Sequence, residues 1–75
     1  MERYANKNGD SAVSTYEIGI NYIYIGFKSG STYEYTYASA GPVNIEKMKA
    51  LARAGRGLNT FITKYVNNKY AQKIR

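Results

Sequence analysis

Cysteine, histidine and tryptophan are absent from this 75-residue chain, and proline occurs once. Without cysteine there is no disulfide and no thiolate metal site. Without histidine as well, the usual zinc and iron ligand sets are missing, so no metal and no cofactor is expected. General acid–base catalysis draws most often on histidine or on paired carboxylates. The five acids, Glu2, Asp10, Glu17, Glu34 and Glu46, are scattered without helical or strand pairing. No catalytic residue is assigned, and a non-enzymatic protein is expected. No apolar run approaches the roughly 20 residues that span a bilayer. The opening "MERYANKNGD" is polar and lacks the apolar segment of a signal peptide. A cytoplasmic protein without membrane contact is the expectation.

What is present is tyrosine and positive charge. Nine tyrosines stand against two phenylalanines, so tyrosine rings must supply much of the core. Such a ring can be buried while its hydroxyl reaches water or a polar partner. The charge is divided unevenly. Residues 1–40 carry three cations and four acids, a net of −1, whereas residues 41–75 carry eight cations and one acid, a net of +7. That asymmetry points to an acidic partner, whether nucleic acid, an acidic protein or an anionic surface.

Residues 1–10 show no period and read as a flexible N-terminus. From Ser11 to Tyr37 β-branched and aromatic residues dominate, which favours strands. The first candidate runs from Ala12 to Glu17. In the second, "NYIYIGFK", Ile23, Ile25 and Phe27 alternate with Tyr22, Tyr24, Gly26 and Lys28, which places the apolar trio on the core face. The third is "STYEYTY". A two-residue turn at Ser29-Gly30 would set Ile25 beside Glu34, mixing core and solvent residues on one face. A three-residue loop, Lys28-Ser29-Gly30, sets Ile25 beside Tyr33 and Ile23 beside Tyr35. That loop needs a left-handed residue, and Gly30 takes the conformation at least cost.

After Tyr37 the period changes. "ASAG" reads as a loop, and Pro42 suits the first turn of a helix. Ile45, Met48, Leu51 and Ala52 share one helical stripe, and Gly55 suits a left-handed stop. A second helix is predicted from Leu58, Phe61, Ile62 and Tyr65, spaced i, i+3, i+4, i+7, and ending near Asn67-Asn68. Residues 69–75 fit either a last helical turn or a docked tail. The expected class is α+β: a three-stranded antiparallel β-meander followed by two helices packed on one sheet face. Its core would hold Val13, Ile23, Ile25, Phe27, Tyr33 and Tyr35 from the strands. Ile45, Met48, Leu51, Leu58, Phe61, Ile62 and Tyr65 would join them from the helices.

The segments "FKSGSTYEY" and "GRGLNTFI", separated by a helix, resemble the KTSC domain. Tyr33-Glu34-Tyr35 is similar to that family's central Tyr-x-Tyr. Gly57-Leu58-Asn59 with Ile62 is similar to its glycine, apolar residue, asparagine and later isoleucine. The resemblance covers roughly residues 11–66, and the turn between the first two strands is shorter here. It implies a single β-β-β-α-α domain over residues 11–75 with no established activity. The family occurs at the C-terminus of some lysyl-tRNA synthetases, which mildly suggests RNA, and as stand-alone bacterial and phage proteins.

Four features bear on function. Gly55-Arg56-Gly57 precedes a helix, where free N–H groups suit an anion. Yet no strand feeds it and the Walker spacing is missing, so a bend between packed helices is the favoured reading. Asn59 suits a structural role, bonding free backbone groups in the first helical turn. Tyr22 and Tyr24 on the open sheet face are candidate aromatic contacts, set against ordinary strand surface. Lys47, Lys49, Arg53, Arg56, Lys64, Lys69, Lys73 and Arg75 are candidate contacts to phosphate or an acidic partner, set against a merely solvated face. The exposed tyrosines and the basic helices fall on opposite sides of the sheet, which argues against a combined groove. The leading expectation is a small non-enzymatic binding module contacting nucleic acid, RNA more than DNA, through its basic helical half. The alternative is a regulatory protein, of the phage-encoded kind, that binds an acidic surface or sheet edge of a host protein.

Overall fold

A computed structural model describes residues 1–9 and 11–75. Its centre is the hairpin of β3 (Tyr22–Phe27) and β4 (Thr32–Thr36). Ile25 pairs with Tyr33 and Ile23 with Tyr35, the register that keeps apolar residues on one face. Gly30 lies at φ +99° and its N–H donates to the Phe27 carbonyl at 2.9 Å, so the loop closes through a left-handed residue. Strand β2 (Val13–Ile18) runs antiparallel to β3, with an irregularity between Val13 and Thr15. The extra residue lets Val13 and Tyr16 face the core together despite their odd spacing.

Two short strands extend the meander to five in the order β1-β2-β3-β4-β5. Strand β1 (Glu2–Arg3) pairs with β2, so the expectation of a flexible N-terminus is corrected for this segment. The reason is one anchor. Tyr4 is only 3% exposed, its N–H donates to the Ser14 carbonyl at 2.9 Å, and its hydroxyl accepts from the Leu58 N–H at 3.3 Å. Asp10, in the same expected segment, lies outside the described residues. At the other end β5 (Gln72–Lys73) pairs with β4, so residues 69–75 form a docked tail.

The loop expected at "ASAG" is instead a one-turn helix, α1 (Tyr37–Ala40). Thr36 caps it, accepting from the Ser39 N–H at 3.0 Å while Ser39 Oγ accepts from the Thr36 N–H at 3.0 Å. This reciprocal pair satisfies two backbone donors. Helix α2 (Pro42–Ala54) follows with proline in its first turn, as expected. Gly55 ends it at φ +77°, donating to the Leu51 carbonyl at 2.9 Å. Helix α3 (Leu58–Phe61) continues without a break into a π-helical turn, Ile62–Val66. Gly55-Arg56-Gly57 is therefore a bend between consecutive helices.

The helices cover the sheet face that carries Ile23, Ile25 and Tyr35, all buried. Ile45, Met48, Ala52, Leu58, Ile62 and Val66 meet them from the helical side, and Phe27, Tyr33, Leu51 and Phe61 pack partly buried around the rim. Tyr65 departs from expectation: it is 56% exposed and Val66 is buried in its stead. The π turn carries one residue more than an α turn, which advances the buried stripe by one position. Among the described residues no helix is long and apolar enough to cross a membrane.

Candidate functional site

The basic residues predicted as one contact surface do not all reach solvent. Lys49 is 5% exposed; its ammonium donates to the Ile20 carbonyl at 2.9 Å and to Glu46 Oε2 at 2.8 Å. Tyr37 Oη donates to the same carboxylate oxygen at 2.6 Å. The Lys49 and Tyr37 bonds hold the Glu46 carboxyl below its ordinary range, and the Glu46 bond in turn raises the Tyr37 phenol. This network ties α2 to the β2–β3 turn and to α1. Lys49 is thus a structural cation, which corrects its place among the contact residues.

The remaining cations are exposed but divided. Arg53 borders an open groove with Met1, Glu2, Tyr16, Glu17 and Ile18, beside β1 and two acids. Lys73 lies on β5, four strand spacings away, or about 19 Å at ~4.8 Å per spacing. Lys47 projects from the outer face of α2. Arg56 lines a polar cleft at the helix bend. Lys64, Lys69, Lys73 and Arg75 belong to the C-terminal side. Among the described residues the only ion pair is Lys49–Glu46.

On that C-terminal side the chain builds a groove of about 300 Å³. Its sheet wall is Phe27, Tyr33 and Tyr35, and its helix wall includes Ile62 and Thr63. Tyr70 closes it from the tail: its ring centroid is 4.6 Å from that of Tyr33 and 6.3 Å from that of Tyr35. Phe27 meets Tyr33 edge-on at 5.9 Å. The amides of Asn59, Asn67 and Asn68 line the same recess. Lys73 Nζ stands 6.0 Å from the Tyr33 ring centroid, within cation–π range. Lys64 follows Thr63 in the chain, and Lys69 lies between Asn68 and Tyr70. Burial, with lesser contributions from Tyr33 and Tyr70, pushes the Tyr35 phenol up to about 12, so it stays neutral at any physiological pH.

The groove thus combines ring faces with amide donors and acceptors, and one cation, Lys73, stands beside its Tyr33 wall. Sequence reasoning missed it by treating Tyr33 as core, Asn67-Asn68 as a helix stop and Tyr70 as part of a tail. No apolar–polar alternation in "KYAQKIR" marks it as a strand, so the tail gave no local signal. Tyr22 and Tyr24 lie where expected, on the open face, half-buried with rings 4.9 Å apart. Partial burial, then the charge of Glu34, then Tyr22 and Glu17, raises the Tyr24 phenol. An acidic neighbourhood of that kind disfavours a polyanion there.

Among the described residues no group of three or more His, Cys, Asp or Glu side chains is placed to hold a metal. No family model, no curated protein and no solved structure matches the chain.

Proposed function

We propose that this KTSC-like chain is a small non-enzymatic module that binds single-stranded nucleic acid in the Tyr33–Tyr70 groove. The observation that carries the proposal is the Tyr33–Tyr70 ring pair at 4.6 Å with the Lys73 ammonium beside it. Tyr70 is 41% exposed and offers a ring face on which a base stacks, an interaction worth ~1–3 kcal/mol per base. Asn67 and Asn68 offer paired amides to base edges. Lys73, beside the Tyr33 ring, and Lys64 and Lys69, next in the chain to the lining residues Thr63, Asn68 and Tyr70, are the cations this reading assigns to two or three phosphates. RNA is placed ahead of DNA because the resembled domain occurs on lysyl-tRNA synthetases, an association rather than a mechanism.

The test is a fluorescence titration of labelled mixed-sequence RNA and of duplex DNA at low and moderate salt. Three phosphate contacts predict a log–log salt slope of about −2 for a single strand. Unstacked bases are required for the ring contacts, so the single strand should bind more tightly than the duplex. Absence of binding at low salt would remove this reading. The alternative, docking on an acidic protein surface or by the β5 edge, would then be pursued by capture from nuclease-treated lysate.

A further inference from the structure

The floor of the aromatic groove differs in chemistry from its rim. Tyr35 forms part of that floor and is 2% exposed. Its hydroxyl has no hydrogen-bond partner among the described residues, yet no fully enclosed polar side-chain atom there lacks one. The Tyr35 hydroxyl is therefore not sealed in the core; it is the part of this buried residue that opens into the recess. It stays protonated at any physiological pH, so it always has a proton to donate. Half-buried Asn59, on α3, lines the same recess, and its side-chain amide too bonds no other described residue. No residue lining the groove is charged. Such a recess suits a neutral group with a polar edge and leaves phosphates to the cations outside it.

We propose that this recess takes the edge of one pyrimidine base and that Tyr35 is the residue that selects it. The proposal rests on the nucleic-acid reading of the groove and adds a base preference to it. The Tyr35 hydroxyl and the Asn59 amide together offer two donors and one acceptor. Uracil presents carbonyl, N–H and carbonyl along its pairing edge; cytosine presents carbonyl, ring nitrogen and amine. Either set is two acceptors and one donor, the complement of the floor. Adenine presents one acceptor and one donor, which the amide alone satisfies, so the phenol proton is left unpaired. Guanine presents one acceptor and two donors, one donor too many. Asn67 and Asn68 are exposed at the rim, where water replaces any bond that a base fails to make. At Tyr35 water is displaced by whichever base enters, so only a base that returns the bond avoids the loss. One neutral hydrogen bond of this kind is worth about 2–10-fold in affinity.

The test measures binding of labelled oligo-rU, oligo-rC and oligo-rA of equal length to the full chain and to Tyr35→Phe, at one low salt concentration. The pyrimidine strands should bind about 2–10-fold more tightly than oligo-rA. Tyr35→Phe should narrow that gap to under about twofold with an unchanged salt slope. Its thermal midpoint should also stay unchanged, because the hydroxyl bonds no described protein group. Asn59→Ala, the second variant, should narrow the gap as well. Equal affinity for the three strands, or a pyrimidine preference that survives Tyr35→Phe, overturns the proposal. So does a lower midpoint in Tyr35→Phe, which would assign the hydroxyl a structural bond. A second arm titrates uridine and adenosine into the 15N-labelled chain and follows the amides of Tyr35 and Asn59. Saturable uridine shifts that Tyr35→Phe abolishes, without RNA binding, keep the pyrimidine site and remove the strand reading. RNA binding without base preference keeps the strand reading and removes the pyrimidine site. Absence of both kinds of binding removes both.

Discussion

Replacing Lys49 by methionine separates structural from contact roles among the cations. Methionine keeps an unbranched apolar stem at this buried position but removes the ammonium. Two bonds disappear, to the Ile20 carbonyl at 2.9 Å and to Glu46 at 2.8 Å. Glu46 is 54% exposed at its side chain and is rehydrated, so it adds little to the cost. The Ile20 carbonyl loses a charged donor, and hydrogen bonds to charged groups are worth ~1.5–3 kcal/mol net. A chain of this length has a total stability of about 4–11 kcal/mol, so the loss is a sizeable share. For so small a domain each kcal/mol shifts the midpoint by about 4–8 °C, which gives a fall of roughly 6–24 °C. Thermal and urea unfolding followed by circular dichroism measure it. RNA affinity, read well below the midpoint, should stay within about twofold because Lys49 faces no ligand. An unchanged midpoint, together with an RNA loss as large as that of Lys73→Glu, would refute the reasoning.

Three further outcomes follow from the packing. A Cβ at Gly55 would stand 2.6 Å from Ala5 Cβ, whereas one at Gly57 meets Leu51 Cδ2 at 3.6 Å; both residues lie at left-handed φ. Gly55→Ala should therefore cost more than the ~1–2 kcal/mol expected at Gly57, as measured by urea midpoints. Val66→Ala should destabilise by about 1–3 kcal/mol and Tyr65→Ala by under about 1 kcal/mol, reversing the order that an unbroken α-helix predicts. Glu46 has a folded pKa below its ordinary 4.5, so its contribution is complete above that value and fades as pH falls through the folded value. Glu46→Gln should flatten the acid limb of a stability–pH profile below about pH 4.5 and leave the neutral-pH slope unchanged.

The parts of the fold legible in the sequence are those where local pattern and tertiary need coincide. The alternation in "NYIYIGFK" and "STYEYTY" admits only one register that keeps Ile23 and Ile25 with Tyr35 and Tyr33, and Gly30 supplies the loop geometry. The stripe through Ile45, Met48 and Ala52 likewise announces α2. The terminal strands carry no such pattern. Each is two residues long and is held by tertiary contacts, Tyr4 at one end and the β4 backbone at the other. The π turn is equally silent, because Tyr65 and Val66 are both plausible core residues until the stripe is advanced. Lys49 was legible in part: it sits four residues after Ile45 and three before Ala52, on the buried stripe itself. Its partner is the backbone carbonyl of Ile20, 29 positions away, which no side-chain pattern encodes. The groove was hidden for the same reason, since it is closed by a tail whose position only the β4–β5 pairing reveals.

The claim at the centre is that a nucleic-acid base stacks on the exposed Tyr70 ring, which itself rests on Tyr33 at 4.6 Å. Photo-crosslinking of a 4-thiouridine-substituted RNA, followed by peptide mapping, tests it most directly. The account predicts adducts on Tyr70 and Tyr33, suppressed at moderate salt and by Lys73→Glu. Adducts confined to Tyr22 and Tyr24, on the opposite side of the sheet, would contradict it.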